Sequence, residues 1–155
     1  MIQQRGHWAA LLVLAVLALI LSACSTGSPA KQSAPADLKT TKVSVDGGGS
    51  YTNVDAAGLK SMLAGKDFPL INVHIPYEGE IEKTDLFIQY DLIDKSLDKL
   101  PANKSTRIVL YCRSGSMSGI AAKTLVRLGY TGIWNLDGGM IAWQSAGYSI
   151  ITKKQ

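Results

Sequence analysis

The chain has 155 residues, 46% of them hydrophobic, and a formal net charge of +4. That length and hydrophobicity suit one domain plus a leader. The basic residues are scattered apart from Lys153-Lys154, which leaves neither a nucleic-acid stripe nor a polybasic membrane patch.

Met1 to Trp8 carries a single charge, Arg5, and Ala9 to Leu21 is an unbroken apolar run. The run has the length of a signal-peptide core and falls short of the ~20 residues of a spanning helix. It ends in Leu21-Ser22-Ala23-Cys24, which resembles the lipobox of bacterial lipoproteins. The resemblance implies cleavage before Cys24, acylation of its thiol and new amine, and a domain held on a membrane of the cell envelope, facing the periplasm or exterior. An uncleaved anchor and an ordinary secretory signal are the other readings of the run. All three place the domain outside the cytoplasm. With Cys24 lipidated, Cys112 has no partner for an internal disulfide, and a lone thiol in an oxidising compartment is a candidate reactive group.

From Ser25 to about Ser50 the composition is mostly Ser, Thr, Gly, Pro, Ala and Lys, with almost no large apolar residue, ending in Asp46-Gly47-Gly48-Gly49-Ser50. This reads as a tether. Lys42 to Val45 has the pattern of a short edge strand, but the glycines cut it off from the segment beginning at Tyr51, so linker is the preferred reading. The division is therefore a leader over 1–23, a tether over 24–50 and a folded domain over 51–152.

In the folded part, Tyr51 to Val54 predicts a strand. Leu59, Met62 and Leu63 predict a helix capped by Asn53 or Asp55 and ending at Gly65. Phe68 to His74 predicts a buried strand, and Ile93 to Leu100 a short helix before Pro101. Ile108 to Tyr111 is apolar, β-prone and too short for a helix, which suits a strand buried on both faces. Ile120, Ala121, Ala122, Leu125, Val126 and Leu128 then recur at helical spacing, and Gly129 ends that helix. Ile133 to Leu136 predicts a last strand, Gly138-Gly139 a tight turn, and Met140 to Trp143 a short helix with Trp143 in the core. Strands alternating with helices predict an α/β fold, a central parallel sheet with helices on both faces.

Cys112 is thus delivered at the carboxyl end of a central strand, just before a helix, where ligands bind in open α/β sheets. A thiolate there has three sources of stabilisation: the helix N-terminus, the backbone N–H groups from Arg113 to Ser118, and the Arg113 guanidinium. Gly115 permits positive φ, so that successive N–H groups can turn inward. Ser114, Ser116 and Ser118 add hydroxyl donors, and Ser118 is also a candidate helix cap. Such a cradle fits a thiolate or a thiolate carrying an extra sulfur. Spacing alone leaves open that Cys112 is a small buried hydrophobe beneath a serine-rich turn.

The stretch Tyr111-Cys112-Arg113-Ser114-Gly115, the helix with Ala121 and Ala122, Gly129-Tyr130, and Asn135-Leu136-Asp137-Gly138-Gly139-Met140-Ile141-Ala142-Trp143 resemble the C-terminal half of a single-domain rhodanese. The resemblance is strong from Arg107 to Gly147 and weak before it, back to about residue 50. It implies a rhodanese-like fold with a persulfide formed on Cys112 and passed to a thiophilic acceptor, with no cofactor and no metal. It also implies that the Gly138-Gly139 turn lies close to the cysteine loop, outside the first ring of substrate contacts.

The chain departs from the family in three places. Asn72-Val73-His74 stands where an Asp-Val-Arg is common, Gly79-Glu80-Ile81 where a Gly-His-Ile is common, and Ser116-Met117-Ser118 where Asn-Arg-Ser follows the Cys-Arg-Ser-Gly. Both ionic features of the family are therefore missing here, and the loop offers Arg113 and backbone donors alone, with Met117 softening the rim; Arg113 reads either as a donor contact or as a side chain that extends into solvent or pairs with an acidic neighbour. This favours a polysulfide or a small-thiol persulfide as donor over thiosulfate. His74 reads either as a proton carrier or as a strand-end histidine bonded to a neighbouring loop. Glu78, Glu80, Glu82 and Asp85 read as a solvated acidic turn rather than a calcium site.

Three functions compete. In a sulfurtransferase, Cys112 takes sulfur from a small donor such as thiosulfate, polysulfide or a low-molecular-weight persulfide, and passes it to a thiol or to cyanide, with Arg113 to Ser118 lining the substrate site. In a non-turnover carrier or sensor, Cys112 holds sulfur for a protein partner at the membrane, whose identity the sequence leaves open. A cysteine phosphatase would need an arginine six residues beyond Cys112, where Ser118 stands, so its phosphate clamp is missing.

Overall fold

The computed structural model describes residues 38–152, so the leader and Cys24 lie outside the described residues. Strand β1 (Thr40–Ser44) pairs antiparallel with β2 (Ser50–Val54), Thr40 opposite Val54 and Ser44 opposite Ser50. The tether reading fails over this stretch, because the folded unit begins before residue 51. The glycines that looked like a break make the hairpin turn: Gly47, Gly48 and Gly49 have φ of 91°, 105° and 82°, and the Val45 amide donates to the Gly49 carbonyl at 3.1 Å. Composition alone does not separate a glycine-rich turn from a glycine-rich linker, since both use the same freedom at positive φ. Val45 is buried, which ties the hairpin to the core.

Helix α1 (Ala56–Ala64) starts at Asp55, whose Oδ1 accepts from the Gly58 amide at 2.7 Å. Strands β3 (Leu70–Asn72), β4 (Glu80–Ile81) and β5 (Leu86–Phe87) follow. The helix expected over Ile93 to Leu100 is instead two 3₁₀ turns, Tyr90–Lys95 and Leu97–Lys99. Only Ile93 and Leu100 are fully buried there, too few anchors for a packed α-helical face before Pro101.

Strand β6 (Ile108–Tyr111), helix α2 (Ser116–Arg127), β7 (Ile133–Leu136), helix α3 (Gly139–Ser145) and β8 (Ile150–Ile151) complete the chain. The main sheet runs β1-β2-β7-β6-β3-β5, parallel throughout except for the edge strand β1, while β4 and β8 form a small antiparallel pair. Ile108 and Leu110 pack with Ala121, Ala122 and Leu125 of α2 on one face. Val109 and Tyr111 pack with Leu59 and Leu63 of α1 and Trp143 of α3 on the other. Period-two alternation in a strand covered on both sides produces two cores, each fully buried Leu or Ile contributing about 1.5–3 kcal/mol. This is the α/β architecture expected from the sequence. Among the described residues no helix is long and apolar enough to cross a membrane.

Candidate active site

Alternation along β6 sends Ile108, Leu110 and then Cys112 toward the α2 side of the sheet. The chain turns at once into the loop that opens α2. Gly115, at φ 89° and ψ −15°, occupies the N-cap position, which no side chain fills. Its amide donates to Cys112 Sγ at 3.1 Å. The Ser118 hydroxyl lies 3.4 Å from Sγ and 3.2 Å from the Gly115 carbonyl, within donating reach of either. Ser118 therefore faces the sulfur from inside the first turn of α2 and is not the helix cap. Cys112 is 1% exposed and Ser118 is fully buried, so both donors meet the sulfur away from bulk water, where their dipoles act with little screening.

The remaining loop residues are arranged differently. Ser114 and Ser116 are exposed and lie 3.4 Å apart through their hydroxyls, and Met117 is partly buried against the α2-side core. The convergence on sulfur rests on Gly115 and Ser118.

The Gly138-Gly139 turn holds this loop from behind. The two glycines have φ of 69° and 58°, and the first amides of α3 are spent on the loop: Met140 donates to the Cys112 carbonyl and Ile141 to the Arg113 carbonyl, both at 2.9 Å. A Cβ on Gly115 would lie 3.2 Å from the Gly138 nitrogen. Both turns must stay bare for the backbones to approach so closely.

On the far side of the cysteine, β3 ends in Asn72, fully buried. Its Nδ2 donates to the Gly79 carbonyl at 2.9 Å and its Oδ1 accepts from the His74 amide at 3.0 Å. Asn72 thereby pins both ends of the segment 74–79. His74 is 6% exposed, and neither ring nitrogen makes a hydrogen bond. Glu78 Oε2 lies 3.4 Å from His74 Nε2 and 3.3 Å from Arg113 Nε. Arg113 thus takes the second of its two readings and pairs with an acidic neighbour, Glu78, so an ion pair other than the family's stands beside the site. Its sequence signal was the i, i+4 spacing from His74, hidden inside what read as a solvated acidic turn. That turn divides in space, since Asp85 pairs with Lys66 at 2.6 Å and accepts from the Leu70 amide at 2.7 Å. Among the described residues no group of three His, Cys, Asp or Glu side chains is placed to hold a metal.

Tyr111, the last residue of β6, anchors the opposite face. Its hydroxyl accepts from the Ile81 amide at 3.0 Å and lies 2.7 Å from Thr84 Oγ1. Burial pushes this phenol above its ordinary value, opposed by these hydrogen bonds.

The model of the family described as Rhodanese-like domain matches residues 57–146. A protein from Allochromatium vinosum named "Sulfurtransferase" is 33% identical over 102 residues, which cover 63% of this chain and 92% of that protein. The crystal structure of a rhodanese-like domain protein from Staphylococcus aureus is 26% identical with a TM-score of 0.55, covering 66% of this chain and 98% of that one. A rhodanese-related protein from Thermoplasma volcanium, 23% identical with a TM-score of 0.56 over 65% and 98% of the two chains, shares the fold. The family and the sulfurtransferase relative support sulfur transfer in general. The cysteine strand, its loop, α2 and the Gly138-Gly139 turn all lie inside the matched stretch, and the chain belongs to the rhodanese-like domain family.

Proposed function

We propose that the protein is a sulfurtransferase whose nucleophile is Cys112. One observation carries this reading: Sγ sits at the head of α2 with the Gly115 amide at 3.1 Å and the Ser118 hydroxyl at 3.4 Å. Donors fixed on a sulfur stabilise it as an anion, and they keep their place when a second sulfur is added. The Cys112 thiolate attacks the outer sulfur of a sulfane donor. A new S–S bond forms, the donor's S–S bond breaks, and its electron pair leaves on sulfite or a thiolate. An acceptor thiolate or cyanide then attacks the outer sulfur of the persulfide, and the Cys112 thiolate leaves again. Arg113 to Ser118 line the path of donor and acceptor in this scheme.

Intact mass spectrometry after incubation with thiosulfate, polysulfide and glutathione persulfide in turn tests it. The expected result is a gain of one sulfur atom that is absent in C112S. A protein unchanged by every donor would refute it.

The near-complete burial of Cys112 favours a second reading, a carrier that holds sulfur out of reach of bulk thiols and surrenders it to a protein partner. Cyanolysis separates the two. Loading followed by a single release, with no further turnover on any donor and acceptor pair, supports the carrier.

We also propose that Cys24 carries the lipid that holds the domain on a membrane of the cell envelope, facing the periplasm or exterior, on the strength of the apolar run and Leu21-Ser22-Ala23-Cys24. C24A should then yield an unprocessed or soluble product. Unchanged membrane partition would favour a helical anchor.

A further inference from the structure

Arg113 is the only cation in the loop from Cys112 to Ser118, and a dianionic donor would turn to it first. Part of its guanidinium is already engaged. Its Nε lies 3.3 Å from Glu78 Oε2, and the same oxygen lies 3.4 Å from His74 Nε2. His74 is 6% exposed with both ring nitrogens outside any hydrogen bond. The segment 74–79 that carries both residues is pinned by Asn72, so the carboxylate is presented by a fixed backbone.

We propose that Glu78 sets donor choice: by occupying Arg113, it withholds that cation from the thiosulfate dianion and so favours persulfides of small thiols. This rests on Cys112 being the nucleophile. With thiosulfate, the Cys112 thiolate takes the outer sulfur, the S–S bond breaks and its electron pair leaves on sulfite, a dianion that an unoccupied Arg113 would serve. With the persulfide RSSH of an uncharged small thiol, the RS–S bond breaks and the electron pair leaves on RS⁻, a single charge. Glu78 is thereby a positioning and specificity residue, acting through Arg113.

The experiment measures rates of Cys112 persulfide formation on the purified full chain with thiosulfate and with 2-mercaptoethanol persulfide, by intact mass. Wild type, E78Q, R113A and E78Q/R113A are compared. Glu78 and Arg113 are 41% and 59% exposed, so solvent screening limits the effect, and E78Q should raise the thiosulfate-to-persulfide ratio of rates about threefold. In the R113A background the same substitution should leave that ratio unchanged. E78A should move the ratio in the same direction as E78Q, which guards against a peculiarity of the amide. A ratio unchanged in E78Q, or raised equally without Arg113, overturns the inference while Cys112 still loads. Absence of loading by either donor in every form overturns the Cys112 reading, and this inference with it.

Discussion

A Cβ on Gly139 would stand 2.7 Å from the carbonyl carbon of Arg113, so the α3 turn and the cysteine loop are built against each other with no room for a methyl group. The neighbouring amide of Met140 closes the contact by donating to the Cys112 carbonyl at 2.9 Å. Gly139 also sits at φ 58°, a region L side chains rarely adopt. Gly139→Ala should therefore lower stability by about 3 kcal/mol, strain and backbone collision together, and should slow persulfide loading further than the lost stability explains. Urea denaturation and loading rates on the folded fraction check this. A stable variant with normal loading would show that the turn does not position the loop.

Cys112→Ser should abolish loading and change stability by less than about 1 kcal/mol, because an oxygen can still accept from Gly115 and Ser118. A thermal melt beside the mass measurement separates the two effects. A large loss of stability with transfer intact would mean that the sulfur packs rather than reacts.

Ser118→Ala removes one of the two donors to Sγ while filling nearly the same volume. Loading should slow by about tenfold, with a stability change of about 1 kcal/mol, since only one modest hydrogen bond is lost. Full-rate loading would leave the Gly115 amide as the sole group that matters to the sulfur.

Tyr111→Phe leaves the buried Ile81 amide without its acceptor and should lower stability at neutral pH by about 1–3 kcal/mol. The pH profile carries a second signature. Burial raises the phenol's pKa above its ordinary 10.0, so the folded chain keeps a proton that the unfolded chain releases. The stabilising contribution is complete below that value and is lost as pH rises beyond it. Denaturation of wild type and Y111F at neutral pH and above pH 10 should show the gap between them narrowing. A constant gap would contradict the burial effect.

The sequence by itself determined whatever depends on neighbours along the chain. Four apolar residues from Ile108 to Tyr111, a helical repeat from Ile120 to Leu128 and glycines at 115, 129, 138 and 139 were enough to place Cys112 between a buried strand and a helix, because periodicity and positive φ are written locally. Only the folded structure decided which donors reach the sulfur, since the first turn of α2 carries Ser118 to it while Ser114 and Ser116 stay exposed. It also decided that Glu78 meets Arg113. Those residues are brought together by β3 lying beside β6 in the sheet, and a parallel pairing of strands distant in sequence has no local signature. The β1 hairpin escaped for a related reason: its glycines are read as turn or tether only according to whether Val45 and β2 give the strand something to pack against.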